Sequence, residues 1–380
     1  MEAPQAPCEG ITIDQSILSS LWSKNMYTHS PIAFEDKILV AGEQTSSNAS
    51  NKLNCFDSKT GELLWQKTIS ASLLDNYAQI SGSNLFYLAL GSNTFFEFDL
   101  NTLEEKAICK LPAEVVLDPV FALGEGYAIV LAKSNTTAID SVDSYVYLLS
   151  LQENKFREIL RRRTKILFSL RPLSDPVTET LPNGDTLFCC MESAYSTTIG
   201  NQDYRLICHE IKSGLTVTTP ASKTRTYYRR DAGNVILKDG RVYFPLEERV
   251  NCLDAKTANV IWSKPYALAT QLILREGHLF AYKGNTFIEA LNPLSGEKYW
   301  NSSITTDYLS ELMSSFVRNG RLYFVENYKL VSLDIETGCY QSQQASPNGE
   351  QLVAQLTVSS DGKTVFCSDY KNWFAVKLPE

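Results

Sequence analysis

At 380 residues the chain is long enough to bury a large core, as one big repeat fold or as two to three ordinary domains. Its 43 acidic and 35 basic residues leave a formal net charge of -8. An acidic chain lacks the broad electropositive surface that phosphate backbones attract, which argues against nucleic acid as the main partner. No apolar run reaches the roughly 18 residues of a membrane-spanning helix, so no helical membrane span is expected.

In chain order, the opening MEAPQAPCEGITIDQS has neither the basic nor the apolar region of a signal peptide. The nine cysteines are odd in number and scattered. Together these point to reduced thiols and a cytoplasmic protein, with a periplasmic one as the alternative if a signal has been removed. Short turns are expected near 12–20 and 304–313. The segment ILSSLWSK (17–24) reads as a lone strand, with Trp22 near its end.

From Pro31 onward one phrase keeps returning: LNCFDSKTGELLW (53–65), VNCLDAKTANVIW (250–262), IEALNPLSGEKYW (288–300) and the weaker LVSLDIETGCY (330–340). Each is a strand, a tight turn and a second strand. The turn begins at Asp57, Asp99, Asp254, Asn292 and Asp334, with Glu210 and the degenerate Gln152 filling the gaps and Val376 holding the last position. A glycine follows four residues later at Gly61, Gly214, Gly296 and Gly338, where positive φ carries no steric cost and Asp or Asn can bond back to the turn amides. A tryptophan comes eight residues after the marker at Trp65, Trp262 and Trp300. The unit between markers holds four strands, clearest in GNVILKD, GRVYFPL, RVNCLD and NVIWSK (233–264).

Recurring units of this size indicate a solenoid or propeller. Eight markers predict an all-β protein: an eight-bladed β-propeller of four-stranded antiparallel blades over 1–380, with seven blades as the competing count. The last blade lacks a fourth strand after Val376, and 17–24 supplies it. Such closure removes two exposed sheet edges. The pattern resembles the pyrroloquinoline-quinone-like (PQQ-like) repeat propellers, whose blades end in ALDxxTGxxxW. That resemblance covers nearly the whole chain and is sharpest in blades one, five and six. It implies that Trp22, Trp65, Trp262 and Trp300 are wedges between blades. It also places this fold beside quinoprotein dehydrogenases and an outer-membrane assembly lipoprotein.

Three long polar insertions, 41–52, 132–145 and 191–204, fall between second and third strands, in blades one, three and four. They therefore predict one recognition face. Basic segments follow blades three and four: Arg161, Arg162, Arg163 and Lys165, then Lys223, Arg225, Tyr227, Tyr228, Arg229 and Arg230. Arg and Tyr are favoured in interface hot spots, so these residues form the candidate docking site for an acidic protein partner.

Catalytic signals are sparse. Cys55, Cys208 and Cys252 each sit two residues before a turn marker and read as small core residues. Cys189 and Cys190 are adjacent, as in the disulfide of family quinoproteins, but in a strand they would point to opposite faces. His29, His209 and His278 have no metal spacing. Carboxylate pairs such as Glu104/Glu105 and Glu247/Glu248 read as surface. The expectation is a non-enzymatic protein-binding module, a scaffold or a specific inhibitor such as an immunity protein, without a cofactor. The alternatives are a quinone-dependent dehydrogenase and a sugar- or small-ligand-binding propeller.

Overall fold

The computed structural model describes residue 8 and residues 13–25, 31–41, 51–70, 78–89, 92–135, 141–165, 174–195, 201–218, 222–225, 234–246, 249–266, 269–283, 287–303, 315–369 and 372–378. Among them there is no α-helix, and the strands form eight antiparallel sheets, each with four strand positions. This is an eight-bladed β-propeller, and the eight-blade count holds over seven. The chain divides into two compact units, Met1–Asp75 with Ile273–Glu380, and Asn76–Leu272.

In the first unit, blade one comprises Ile32–Phe34, Lys37–Ala41, Lys52–Asp57 and Leu63–Thr68. Its second strand is the run Ile38, Leu39, Val40, all buried, because both faces of the sheet are packed. Blade seven comprises Phe316–Arg318, Arg321–Glu326, Lys329–Asp334 and Tyr340–Gln344. Its middle strands are joined through Asn327 and Tyr328, both at positive φ (46° and 63°), the two-residue connection that suits strand twist. Blade eight comprises Val353–Val358, Thr364–Ser368 and Asn372–Lys377, completed by Ser20–Asn25.

The closing strand copies the repeat in detail. In blade one the outer strand carries one extra residue just before its tryptophan: Cys55 faces Trp65 and Phe56 faces Leu63. Such a bulge increases local twist and re-aims the side chain beside it. The same step appears in blade eight, where Ser20 faces Val376 and Trp22 faces Ala375. Trp22 is thus presented as a blade tryptophan should be. It packs edge-on to Trp373 at 5.0 Å, and its indole N–H donates to the Ser58 carbonyl at 3.2 Å. Its ring lies on Gly61, where an added Cβ would stand 2.4 Å from Trp22 Cδ2. Trp300 of blade six repeats the arrangement on blade seven, donating to the Ile335 carbonyl at 2.8 Å and covering Gly338. Each wedge therefore needs a residue without a side chain beneath it, in a turn that already demands positive φ (68° at Gly61, 74° at Gly338).

The segment before the closing strand differs from expectation. Instead of a turn, residues 14–18 run extended and parallel to the outer strand of blade seven, with Asp14 beside Ser342 and Ile17 beside Ala345. Cys8 is bonded to Cys339. The expectation that every thiol is reduced is corrected here, because pairing onto blade seven brings these two distant residues together; the other seven cysteines form no disulfide. The stretch 304–313 lies outside the described residues.

The second unit contains blades two to five. Blade two is Ala78–Ser81, Asn84–Ala89, Thr94–Asp99 and Glu105–Lys110; blade five is Ile236–Lys238, Arg241–Leu246, Arg249–Asp254 and Val260–Pro265. Blades three and four have longer strands. Blade three is Val115–Gly124, Tyr127–Ser134, Ser141–Ser150 and Lys155–Lys165. Blade four is Val177–Thr180, Thr186–Tyr195, Asn201–Glu210 and an outer strand in two pieces, Thr216–Thr218 and Ser222–Arg225. Ile129, Leu131 and Val146 of blade three pack with Phe188, Cys190 and Ile207 of blade four in one buried cluster.

The marker turns are built alike where the marker is Asp or Asn. The amides of Lys59 and Thr60 donate to Asp57 Oδ1 at 2.9 and 2.8 Å, and the Gly61 amide donates to the Asp57 carbonyl at 2.9 Å. The Thr60 amide is the main cause holding the Asp57 carboxyl below the usual range. Asp99, Asp254, Asn292 and Asp334 make the same pair of bonds to the amides two and three residues on. Leu103 and Ala258 hold the glycine position at φ 59° without being glycine.

One marker is corrected, and another holds its position while a second residue caps its turn. In blade three the turn begins at Ser150 and not Gln152: Ser150 Oγ accepts from the Glu153 amide at 3.1 Å, and Asn154 takes positive φ (55°) where glycine usually stands. In blade four Glu210 occupies the marker position, but Asp185 reaches in from the turn just before the neighbouring strand. Its Oδ1 and Oδ2 accept from the Lys212 and Ser213 amides at 2.8 and 3.2 Å. Burial works to raise the Asp185 pKa, and the amide donors outweigh it to hold it low.

Candidate protein-interaction surface on blades three and four

The insertions 132–145 and 191–204 were expected to be loops. Their described residues are mostly strand. In blade three the pairing runs from Tyr127–Ser150 out to Lys133–Ser144, and the third and fourth strands continue to Ser141–Lys165. In blade four it runs from Leu187–Glu210 to Tyr195–Gln202. Ten-residue strands exceed the six-residue strands of blade seven by four, roughly 13 Å at the strand rise. Both hairpins are therefore extended at the end where second and third strands connect. Insertion residues 42–50 of blade one lie outside the described residues.

The extended part of blade four has its own third strand. Ser222–Arg225 pairs with Asn201–Tyr204, in line with Thr216–Thr218 on the same neighbour. Ile207 faces Thr218 and Tyr204 faces Ser222, so the outer strand gains one residue over an interval that contains Pro220. Lys223 and Arg225 stand opposite Asp203 and Asn201.

The basic segment after blade three is not a connecting loop. Arg161, Arg162, Arg163 and Lys165 belong to the eleven-residue outer strand KFREILRRRTK, which holds six cations and a single acid, Glu158. A cationic edge strand resists pairing with stray strands, and that explains part of the composition. The strand bulges between Leu160, opposite Val146, and Glu158, opposite Tyr147. Beyond the bulge Arg161 faces Tyr145, Arg162 faces Ser144, Arg163 faces Asp143 and Lys165 faces Ser141.

The side chains of this strip form a ladder that climbs out of the core. Phe156 meets Tyr147 edge-on at 5.9 Å, Tyr147 stacks on Tyr145 at 5.8 Å, and the Arg161 guanidinium lies 5.2 Å over the Tyr145 ring. Burial, with Glu158 adding to it, pushes the Tyr147 hydroxyl up to about 12. Arg161 also donates to Asp143 Oδ2 at 2.7 Å, which raises its pKa further, while Arg163 stands 3.9 Å from Asp143 Oδ1. Asp143 is 17% exposed, whereas Arg161 and Arg163 are 56% and 74% exposed. One carboxylate thus holds two arginines upright, and the pair keeps a net positive charge facing solvent. Tyr227, Tyr228, Arg229 and Arg230 lie outside the described residues.

The other residues singled out from sequence are structural. Cys55, Cys208 and Cys252 are buried, and burial pushes the Cys55 and Cys252 thiols up to about 11. Cys189 packs with Cys208 in one cluster and Cys190 in another, on opposite faces of their strand. His209 is buried against Phe188, with Nδ1 2.7 Å from Thr216 Oγ1. His29, Glu247 and Glu248 lie outside the described residues. Among the described residues no three His, Cys, Asp or Glu side chains converge as metal ligands. Among the described residues, the divided cysteine pair and this donor set do not fit a quinone–calcium centre.

The fold defines the class, an eight-bladed β-propeller. Residues 200–378 match the family described as "Outer membrane protein assembly factor BamB". Over those residues, just under half of the chain, the repeats are similar to those of PQQ-like propellers. Among solved structures it is similar to BamB from Moraxella catarrhalis, with TM-score 0.60 and 12% identity over 95% of this chain and 100% of that one. A europium-containing methanol dehydrogenase superposes with TM-score 0.62 and 12% identity over 92% and 84% of the two chains. A computationally designed protein, Ika8, gives TM-score 0.62 and 10% identity over 96% and 100%. At these identities the likeness is one of fold. No curated protein matches the sequence.

Proposed function

We propose that this protein is a non-catalytic binding platform that holds a partner protein on the extended hairpins of blades three and four. The observation behind the reading is the Arg161–Tyr145–Asp143 ladder, on a strand that outgrows the regular blade plan. A rigid aromatic with an arginine held by a half-buried acid is the chemistry of an interface anchor. The surplus cations select an acidic partner surface and speed encounter with it. The similarity to a propeller described as an assembly factor is consistent with a scaffold role. The Cys8–Cys339 bond favours an oxidising compartment over the reducing cytosol.

The test compares the wild-type protein with an Arg161→Glu/Arg163→Glu variant as baits in native extract. The expected result is a protein retained by the wild type, lost from the variant and regained when its acidic surface is reversed to basic. An unchanged set of retained proteins would remove this location for the interface.

A further inference from the structure

The segment ahead of the closing strand is held on blade seven by four kinds of interaction. Backbone pairing comes first. The Asp14 and Leu18 amides donate to the Gln341 and Ala345 carbonyls at 3.1 and 2.9 Å, and the Gln343 and Ala345 amides donate to the Asp14 and Ser16 carbonyls at 2.8 and 3.2 Å. The second is side-chain readout. Gln344 Nε2 donates to Asp14 Oδ2 at 3.2 Å and to Ser16 Oγ at 2.8 Å, which fixes the register to one alignment. The third is an apolar anchor, since Leu18 is buried with Leu330, Leu352 and Phe374. The fourth is the covalent bond from Cys8 to Cys339, the residue just before the outer strand Tyr340–Gln344.

The two sulfurs stand in different surroundings. Cys8 is exposed and Cys339 is fully buried. A thiolate arriving from solvent therefore reaches the Cys8 sulfur. The strap itself is only lightly anchored on its outer side, with Ile17 62% exposed. Parallel pairing of so short a stretch is weak alone, and the covalent bond multiplies it by keeping the strap beside its edge.

We propose that Cys8–Cys339 is a redox clasp, and that its reduction releases Cys8 and residues 13–18 from the outer edge of blade seven while blade eight stays closed. A dithiol reductant supplies the electrons. One of its thiolates attacks the Cys8 sulfur, the Cys8–Cys339 bond breaks, and Cys339 leaves as a thiolate that takes up a proton. The second thiol of the reductant then displaces Cys8, which is protonated in turn. The reductant ends as a disulfide and the protein gains two thiols, so two electrons and two protons have moved. The strand Ser20–Asn25 remains paired with Asn372–Lys377, because none of its bonds involves the clasp. What the reduced state uncovers is the Gln343 and Ala345 amides, two donors that the strap had covered.

The experiment is amide hydrogen exchange on the intact protein with and without a dithiol such as dithiothreitol, with the Cys8–Cys339 linkage verified by peptide mass mapping. Reduction is expected to speed exchange at Asp14, Leu18, Gln343 and Ala345 by at least tenfold. The amides of Arg321–Glu326 and Lys329–Asp334 should stay protected, and reoxidation should restore the slow rate. Cys8→Ser should exchange fast at the same four amides without reductant and show no response to it. Should that variant fail to fold, the reductant series on the wild type still decides. Unchanged exchange on reduction would overturn the proposal, as would loss of protection throughout blade seven, or a map showing Cys8 and Cys339 unlinked under oxidising conditions.

Discussion

Blade seven and blade three share one plan and diverge at one end. At the marker end both close with a side-chain oxygen capping the turn, Asp334 in one and Ser150 in the other. At the opposite end blade seven turns through two residues, Asn327 and Tyr328, while blade three carries its strands on to Ser134, Ser141 and Lys165. The marker end bears the wedges between blades, as Trp300 on Gly338 shows, and tolerates little change. The opposite end is free to grow, and growth there is where binding chemistry collects.

The largest expected effect breaks the scaffold side of that contrast. Trp300→Ala removes a ring buried in the cluster with Phe280, Leu322 and Phe324 and should cost about 3–5 kcal/mol in denaturant unfolding. Asp185→Ala sharpens the contrast within the second unit. It strips the acceptor that the Thr186, Lys212 and Ser213 amides share, for a loss of about 2–4 kcal/mol. Glu210→Ala should cost less than Asp185→Ala in the same assay, because among the described residues its carboxylate meets Ser213 Oγ and Lys256 and caps no amide.

A smaller effect appears in acid. Asp57 and Asp99 hold pKa values below the ordinary 3.8, chiefly through the Thr60 and Thr102 amides. A depressed carboxyl contributes stability that is complete above the unfolded value. That stability is lost as pH falls from about 4 through the folded value. Asp57→Asn keeps the acceptor and cannot titrate, as Asn292 already shows. It should unfold within about 0.5 kcal/mol of the wild type at neutral pH and show a shallower decline below about pH 4 in urea titrations. Smallest of all, Arg161→Glu/Arg163→Glu should leave the denaturant midpoint close to that of the wild type, since both side chains are solvent-exposed.

The scaffold was readable because its turns repeat a small chemical sentence. Asp or Asn caps two amides, a residue at positive φ follows, and a tryptophan docks on the next turn. The reading slipped where another residue supplied the same physics. Ser150 with Asn154 spells S-x-x-x-N for D-x-x-x-G, and Asp185 caps from a different turn, which no local pattern reveals. Leu103 and Ala258 adopt the positive φ without the residue that advertises it. Polarity marked the insertions of blades three and four, but their strand character depends on cross-strand partners such as Lys165 for Ser141 and Arg225 for Asn201. The strap was missed because DQSIL alternates no more clearly than a loop, and its partner lies at the far end of the sequence. Of the candidate site, the cations of the blade-three strand were named from sequence. Tyr145 and Asp143, which position them, were not, though both stand in the flagged insertion.

The most direct measurement replaces 133–144 and 193–203 with two-residue turns like that of blade seven, then compares partner capture and unfolding with the wild type. The account predicts a folded protein of near-unchanged denaturant midpoint that no longer retains its partner. A trimmed protein that keeps full capture would show that the extended hairpins are not the binding surface.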